Sequence, residues 1–206
     1  MPAPDRFVKL GLFVRAAFLD RSACEAICAG MAAAPATAAH VAREGDRAIE
    51  STVRKTLDVL VPNDTRRSME RTLDGVVPAI AAHFGEPLAR AEDIHFLRYR
   101  PGDFFAPHTD SAGGADARPA IRARRVSIVL FLNAHAPAPA AGQFSGGALR
   151  LFGLVKDQPA LAALALPLYA EPGMIIAFPS ALRHAVEPVT AGERLCVVAW
   201  LAAAQA

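Results

Sequence analysis

The chain has 206 residues, 53% of them apolar and 20% charged, with a formal net charge of +2. That apolar content excludes a disordered chain, and the length suits one domain with a sizeable core. A charge so close to zero gives no global field to draw in nucleic acid or an anionic membrane, so neither is expected as a partner.

The apolar stretch 10–19 is interrupted by Arg15 and lacks a small-residue cleavage site. It reads as part of the fold rather than a signal peptide or a membrane span. Three cysteines form no cluster: Cys24 and Cys28 are a helical turn apart and Cys196 stands alone. An odd count without a framework fits a reducing compartment, and a cytoplasmic location is expected.

Ser22 and Glu25 have capping-box spacing ahead of an alanine-rich helix that should end near Gly30 or Pro35. A second helix is expected over 64–83, stopped by Gly85 and Pro87, with Met69, Leu73, Val76, Val77 and Ile80 as its buried face. Residues 1–91 thus read as a mainly helical support region. After Glu92 the pattern changes to short β-branched and aromatic runs separated by glycine and proline. Strands are expected at 94–100, 104–110, 126–133, 148–152, 174–178, 184–189 and 195–201, with long connections at 111–125, 134–141 and 156–167. Many short strands without long helices between them predict an antiparallel sandwich or barrel over 92–206. The two regions together are expected to form a single domain over 1–206.

Within the β-rich half, His108 and Asp110 are two residues apart on an expected strand, so both side chains point to one face. His184, far away in sequence, is a candidate third ligand. Two histidines and one carboxylate leave open positions on a metal such as iron(II). Composition alone readily produces one His-x-Asp pair, and a lone histidine is ordinarily a core or surface residue. Arg194 adds weight. It follows His184 across the turn at Gly192, and alternation puts it on the face of Cys196, Val198 and Trp200. A buried arginine needs an anion, either a ligand carboxylate gripped by the guanidinium fork or a structural ion-pair partner.

From about Phe96 to Trp200 the chain resembles the 2-oxoglutarate/Fe(II) dioxygenases of the prolyl 4-hydroxylase type. The resemblance rests on the run from Arg98-Tyr99 through Pro101-Gly102 to His108-Thr109-Asp110, and on the run from Arg125 to Asn133. It continues through Gly146-Gly147, then Pro172-Gly173, then His184 to Arg194, with Trp200 in the last strand. It implies a double-stranded β-helix, a distorted jelly-roll barrel with helices packed outside. It implies Fe(II) held by His108, Asp110 and His184, with 2-oxoglutarate and O2 as co-substrates and ascorbate as a reductant. Arg194 would bind the distal carboxylate of 2-oxoglutarate, and Tyr99 would hydrogen-bond the same group, the other reading of Tyr99 being a core aromatic. Gly146 and Gly147 would form a tight turn before a strand.

The intact Asp110 favours hydroxylation over halogenation, which in related enzymes needs a small residue there. Arg194 with Ala199 five residues on lacks the paired arginines of the nucleic-acid demethylases. Phe131 stands where some oxygen-sensing relatives carry tyrosine. Three readings stay open: a hydroxylase of a protein or peptide side chain, with proline named by the resemblance; a hydroxylase of a small molecule or free amino acid; and a non-catalytic ligand-binding barrel. The loop 111–125, with Arg118, Arg122, Arg124 and Arg125, is either a lid over the substrate or a solvated connection. His40, His83, His95 and His135 receive no role. His95 shares strand parity with Tyr99 and is expected to be a packed core histidine, and Cys196 an apolar core residue.

Overall fold

A computed structural model describes residues 7–39, 41–42, 47–48, 52–111, 119–155 and 164–204. Two antiparallel sheets dominate it. The larger has seven strands, ordered Phe13–Arg15, Ile175–Pro179, Arg124–Phe131, Arg194–Ala203, Leu88–Tyr99, Leu57–Val59 and Ala36–Ala38. The smaller has five, ordered Ala165–Leu168, Leu149–Phe152, His184–Val186, Phe104–His108 and Arg54–Lys55. This is the double-stranded β-helix, mainly β with helical support, that the resemblance implied, and it falls within the antiparallel sandwich or barrel that the strand pattern predicts.

Alternation along Arg124–Phe131 shows how the core divides. Val126, Ile128 and Leu130 enter one apolar cluster, while Val129 and Phe131 enter another. The first cluster lies between the large sheet and the helices, which contribute Cys24, Met31, Met69, Leu73, Val77 and Ile80. The second fills the space between the sheets. Leu97, Tyr99, Ile176, Phe178 and Cys196 come from the large sheet, and Leu149, Leu151, Leu168 and Val186 from the small one. A fully buried leucine of this kind contributes roughly 2–3 kcal/mol through apolar area removed from water. The inner cluster is also the wall of the functional cavity.

Several expectations are corrected. The helix Arg21–Ala33 is capped by Asp20, not by the Ser22–Glu25 box: the Asp20 carboxylate accepts from the Ala23 N–H at 2.7 Å and from the Ser22 hydroxyl at 2.8 Å. The single helix expected over 64–83 is two, Asn63–Asp74 and Val77–Phe84. Pro78 lacks an N–H and its ring cannot follow an unbroken helix, but it fits the first turn of a new one. The second of these helices ends at Gly85, whose φ of +69° is the left-handed conformation of a C-terminal cap.

The first 91 residues are less helical than expected. They add Phe13–Arg15 to one edge of the large sheet, Leu57–Val59 and Ala36–Ala38 to the other, and Arg54–Lys55 to the small sheet. The expected strand 184–189 divides into His184–Val186 and Val189–Gly192. Pro188 lies at the break, and the second piece pairs with Phe144–Gly146 instead. Part of the expected connection 156–167 is the strand Ala165–Leu168, and part of 111–125 is the short helix Pro119–Ala123. Residues 112–118, which include Arg118 of the loop read as a lid, and 156–163 lie outside the described residues, as does His40.

Candidate metal centre

His108 ends the strand Phe104–His108, and His184 opens the neighbouring strand, so that the two sit opposite each other in register. Asp110, just past the end of the first strand, folds back between them. Its backbone N–H and that of Ser111 donate to the Ser180 carbonyl at 2.9 and 3.1 Å. The carboxylate then lies 3.5 Å from His108 Nε2 through one oxygen and 3.4 Å from His184 Nε2 through the other. Ligating atoms of all three fall within 4.8 Å of one another, the one such group among the described residues.

The rings are oriented by main-chain oxygens. His108 Nδ1 lies 2.8 Å from the Ala106 carbonyl, and His184 Nδ1 lies 2.9 Å from the Leu182 carbonyl. A carbonyl can only accept, so each Nδ1 carries the proton and each Nε2 presents a lone pair toward the shared space. Burial pushes the His184 imidazole down to about 4, against the opposing pull of Asp110. It is therefore neutral near pH 7, as a metal ligand must be. Burial alone would raise the Asp110 carboxyl. The two imidazoles that face it, His108 and His184, and the Ser127 hydroxyl more than offset it, holding the group below the usual carboxylate range.

Further residues complete the centre without having been singled out from the sequence. Ser127 donates to Asp110 Oδ2 at 2.7 Å, and its hydroxyl lies 3.0 Å from that of Ser180. The Phe105 ring stacks on His108 at 3.5 Å between centroids, and Phe178 packs edge-on against His184 at 4.8 Å. Ser127 could have been found: it is a polar residue on the inward parity of an otherwise apolar strand. The contribution of Ser180, from a turn, leaves no such trace.

Deeper in the cavity, Arg194 is 1% exposed, with its guanidinium carbon 5.0 Å from the Tyr99 ring and 5.2 Å from the Phe131 ring. One Nη donates to the Cys196 sulfur at 3.0 Å, and Nε has no hydrogen-bond partner. Among the described residues no carboxylate forms an ion pair with it. Tyr99 is directly opposite Arg194 on the neighbouring strand and is buried, which raises its phenol pKa against the nearby charge of Arg54. Gly147, at φ +60°, leaves the space that Arg194 uses. A Cβ there would come 3.1 Å from Arg194 Cδ and 3.0 Å from Val189. A buried cation with donors to spare, at the floor of a cavity whose mouth holds an N,N,O donor set, fits an iron-bound ligand with a distal carboxylate.

A family model described as the 2OG-Fe(II) oxygenase superfamily matches residues 94–202. The chain belongs to that superfamily, whose members use Fe(II), 2-oxoglutarate and O2. It is 33% identical over 114 residues to a PKHD-type hydroxylase of Synechococcus elongatus, a stretch that is 54% of this chain and 44% of the relative. It is 37% identical over 108 residues to a PKHD-type hydroxylase of Thermosynechococcus vestitus, covering 52% and 41%. The chain thus spans under half the length of these curated relatives. Among solved structures, a Pseudomonas putida prolyl-4-hydroxylase aligns over 98% of this chain and 97% of its own, with 25% identity and a TM-score of 0.68. A Trichoplax adhaerens prolyl hydroxylase, in complex with a hypoxia inducible factor peptide fragment, shares the fold at 15% identity and a TM-score of 0.69, covering 97% and 86%.

Proposed function

We propose that this chain is a hydroxylase that acts on a C–H bond of a peptide or protein side chain, with proline as the favoured target. The observation that carries the reading is the combination, against one inner cluster between the two sheets, of the His108–Asp110–His184 donor set and a buried Arg194 without a carboxylate partner. His108, Asp110 and His184 hold the iron, and Arg194, with Tyr99 beside it, holds the far carboxylate of 2-oxoglutarate. When bound, iron and 2-oxoglutarate supply the oxidising chemistry, with dioxygen consumed and succinate and carbon dioxide released.

This chain's residues supply order and dryness. The Ala106 and Leu182 carbonyls fix both imidazoles, Ser127 holds the carboxylate, and Phe105 and Phe178 exclude water from the histidine faces. The names of the similar proteins, all hydroxylases and two of them prolyl hydroxylases, support the choice of target. A cleft of about 360 Å³ lined by Arg54, Lys55, Thr56, Arg100 and Asp103 supports an extended substrate. Its wall joins the centre through Arg54, whose guanidinium lies 4.7 Å from the Phe105 ring. The free state of Cys24, Cys28 and Cys196 supports a reducing, cytoplasmic setting. Among the described residues no helix is long and apolar enough to cross a membrane.

Anaerobic titration with Fe(II) and 2-oxoglutarate tests the proposal. A visible charge-transfer band is expected in the wild type, absent in His108→Ala and shifted to much higher 2-oxoglutarate concentration in Arg194→Met. A band of equal strength in His108→Ala would overturn the assignment.

A further inference from the structure

The inner face of the large sheet carries a second polar group, beside the metal centre. On the strand Leu88–Tyr99, His95 has the parity of Leu97 and Tyr99, both of which face the cavity. It is not the packed core histidine expected from the sequence. Its Nδ1 lies 2.5 Å from Asp58 Oδ2, and both side chains are partly exposed. Asp58 sits opposite Leu97 on the neighbouring strand, so it too belongs to the inner face. The His95 ring meets Trp200 edge-on at 5.8 Å. The indole Nε1 of Trp200 is buried and has no hydrogen-bond partner.

Strand register places this group relative to the iron ligands. Trp200 is opposite Ser127, the residue whose hydroxyl holds Asp110. Val198, two residues deeper, is opposite His95 on one side and Val129 on the other. Arg194 and Phe131 lie deeper still. The group therefore runs diagonally across the sheet, from Trp200 and Ser127 beside the metal centre, through His95 in register with Val198 and Val129, to Asp58 in register with Leu97, Cys196 and Phe131. No part of 2-oxoglutarate chemistry as derived above uses it.

The hydrogen-bonding capacity of the group is specific. A carboxylate only accepts, so His95 Nδ1 carries its proton toward Asp58 and Nε2 remains as the ring's other polar atom, an acceptor in the neutral ring. The Trp200 Nε1–H can only donate, and a buried donor without a partner costs free energy that a ligand acceptor would restore. One acceptor and one donor on two rings in edge-on contact, with the Arg124 guanidinium 3.6 Å from the centre of the indole, complement a peptide group with its N–H and C=O.

We propose that His95, held by Asp58 and set against Trp200, is a substrate-binding residue, and that His95 Nε2 with the indole N–H takes a peptide group flanking the residue to be hydroxylated. This rests on the reading of the chain as a peptide hydroxylase. It assigns the choice of a peptide over a free amino acid to a site of its own, separate from the iron ligands.

Trp200 is the only tryptophan in the chain, so its emission reports on this place alone. The probes are an N-acetylated, C-amidated pentapeptide with proline at the centre and alanine flanks, and free proline for comparison. They are titrated anaerobically into the full chain loaded with 2-oxoglutarate and with Mn(II) in place of iron. The pentapeptide is expected to change the emission saturably in the wild type, and free proline to bind at least tenfold more weakly.

His95→Ala and Asp58→Asn should weaken the pentapeptide by tenfold or more, while His95→Gln, which restores an acceptor and a donor, should return to within about threefold of wild type. The Fe(II)·2-oxoglutarate absorption band, measured on the same variants, separates loss of the subsite from loss of the fold. Wild-type pentapeptide affinity in His95→Ala would overturn the inference and leave the peptide-hydroxylase reading standing. Loss of the band in His95→Ala together with failure of His95→Gln to rescue would overturn it too, by making His95 structural. A wild type that responds to free proline but not to the pentapeptide would overturn both.

Discussion

The two ends of the inner cavity solve opposite problems. At the mouth, the Ala106 and Leu182 carbonyls fix both imidazoles and the Ser127 hydroxyl holds Asp110, so the donor set is oriented even without an ion. At the floor, Arg194 is more deeply buried, and its contacts are two aromatic faces and a thiol. The difference teaches which end depends on its ligand. The mouth is built to hold geometry, whereas the floor carries an uncompensated charge that a dianionic co-substrate bound as proposed would offset.

The strongest way to break this contrast is at the mouth. Asp110→Ala removes one ligand and leaves Ser127 without its acceptor. Iron-dependent succinate release should fall below detection, while the melting temperature of the iron-free protein changes far less than the activity. Measurable turnover in this variant would show that the carboxylate is dispensable.

At the floor, Arg194→Met should act in the other direction on the empty protein. Exchanging a buried unpaired cation for an apolar side chain of similar length is expected to leave it as stable or more stable, by up to a few kcal/mol. The same variant should lose the co-substrate's stabilisation, which in the wild type amounts to about 2.7 kcal/mol at a hundredfold excess over Kd. Thermal melting with and without 2-oxoglutarate reads both. A variant that melts earlier when empty would mean that Arg194 is a structural prop.

Acid should also separate the ends. The His184 pKa falls to about 4 in the folded protein, below its ordinary value of 6.5, so the unfolded chain takes up that proton first. The stability it contributes is full above pH 6.5 and is lost as pH falls toward 4, roughly 3 kcal/mol in all. Denaturant midpoints across pH 4–7 would show the slope. His184→Gln should flatten it, and an unchanged slope in that variant would place the sensitivity elsewhere.

Smaller effects sharpen the comparison. Ser127→Ala, which leaves all three ligands in place, should weaken iron binding by about 10–100-fold, as lost outer contacts to metal ligands commonly do. Gly147→Ala, pressing on Arg194 and strained at positive φ, should raise the 2-oxoglutarate concentration needed for half-saturation without changing iron affinity.

What the sequence disclosed follows the same division. His108, Asp110, His184 and Arg194 sit on or beside strands long enough to show alternation, and motif order brought them together before any coordinates did. The inward face of Arg194 was legible because Cys196 and Val198 share its parity. Strands of two or three residues such as Arg54–Lys55 and Leu57–Val59 carry no period, and they pair with partners about 20 to 50 residues away, so their place in the sheets and the Asp58–His95 contact were not legible. Breaks were missed for local reasons. Pro78 lies inside the helix expected over 64–83 and begins a second one, and Asp20 caps from two residues before the box expected at Ser22.

Each metal-facing imidazole is steered by an oxygen two residues upstream on its own segment, from Ala106 for one ring and Leu182 for the other. Because the main chain does the steering, no side-chain replacement at either position can delete it. The steering thus depends on the local backbone path at those two sites and not on their side chains, although Leu182 also packs against the inner apolar cluster. A designer can therefore recolour the immediate surroundings of the iron there while the ring tautomers stay as they are.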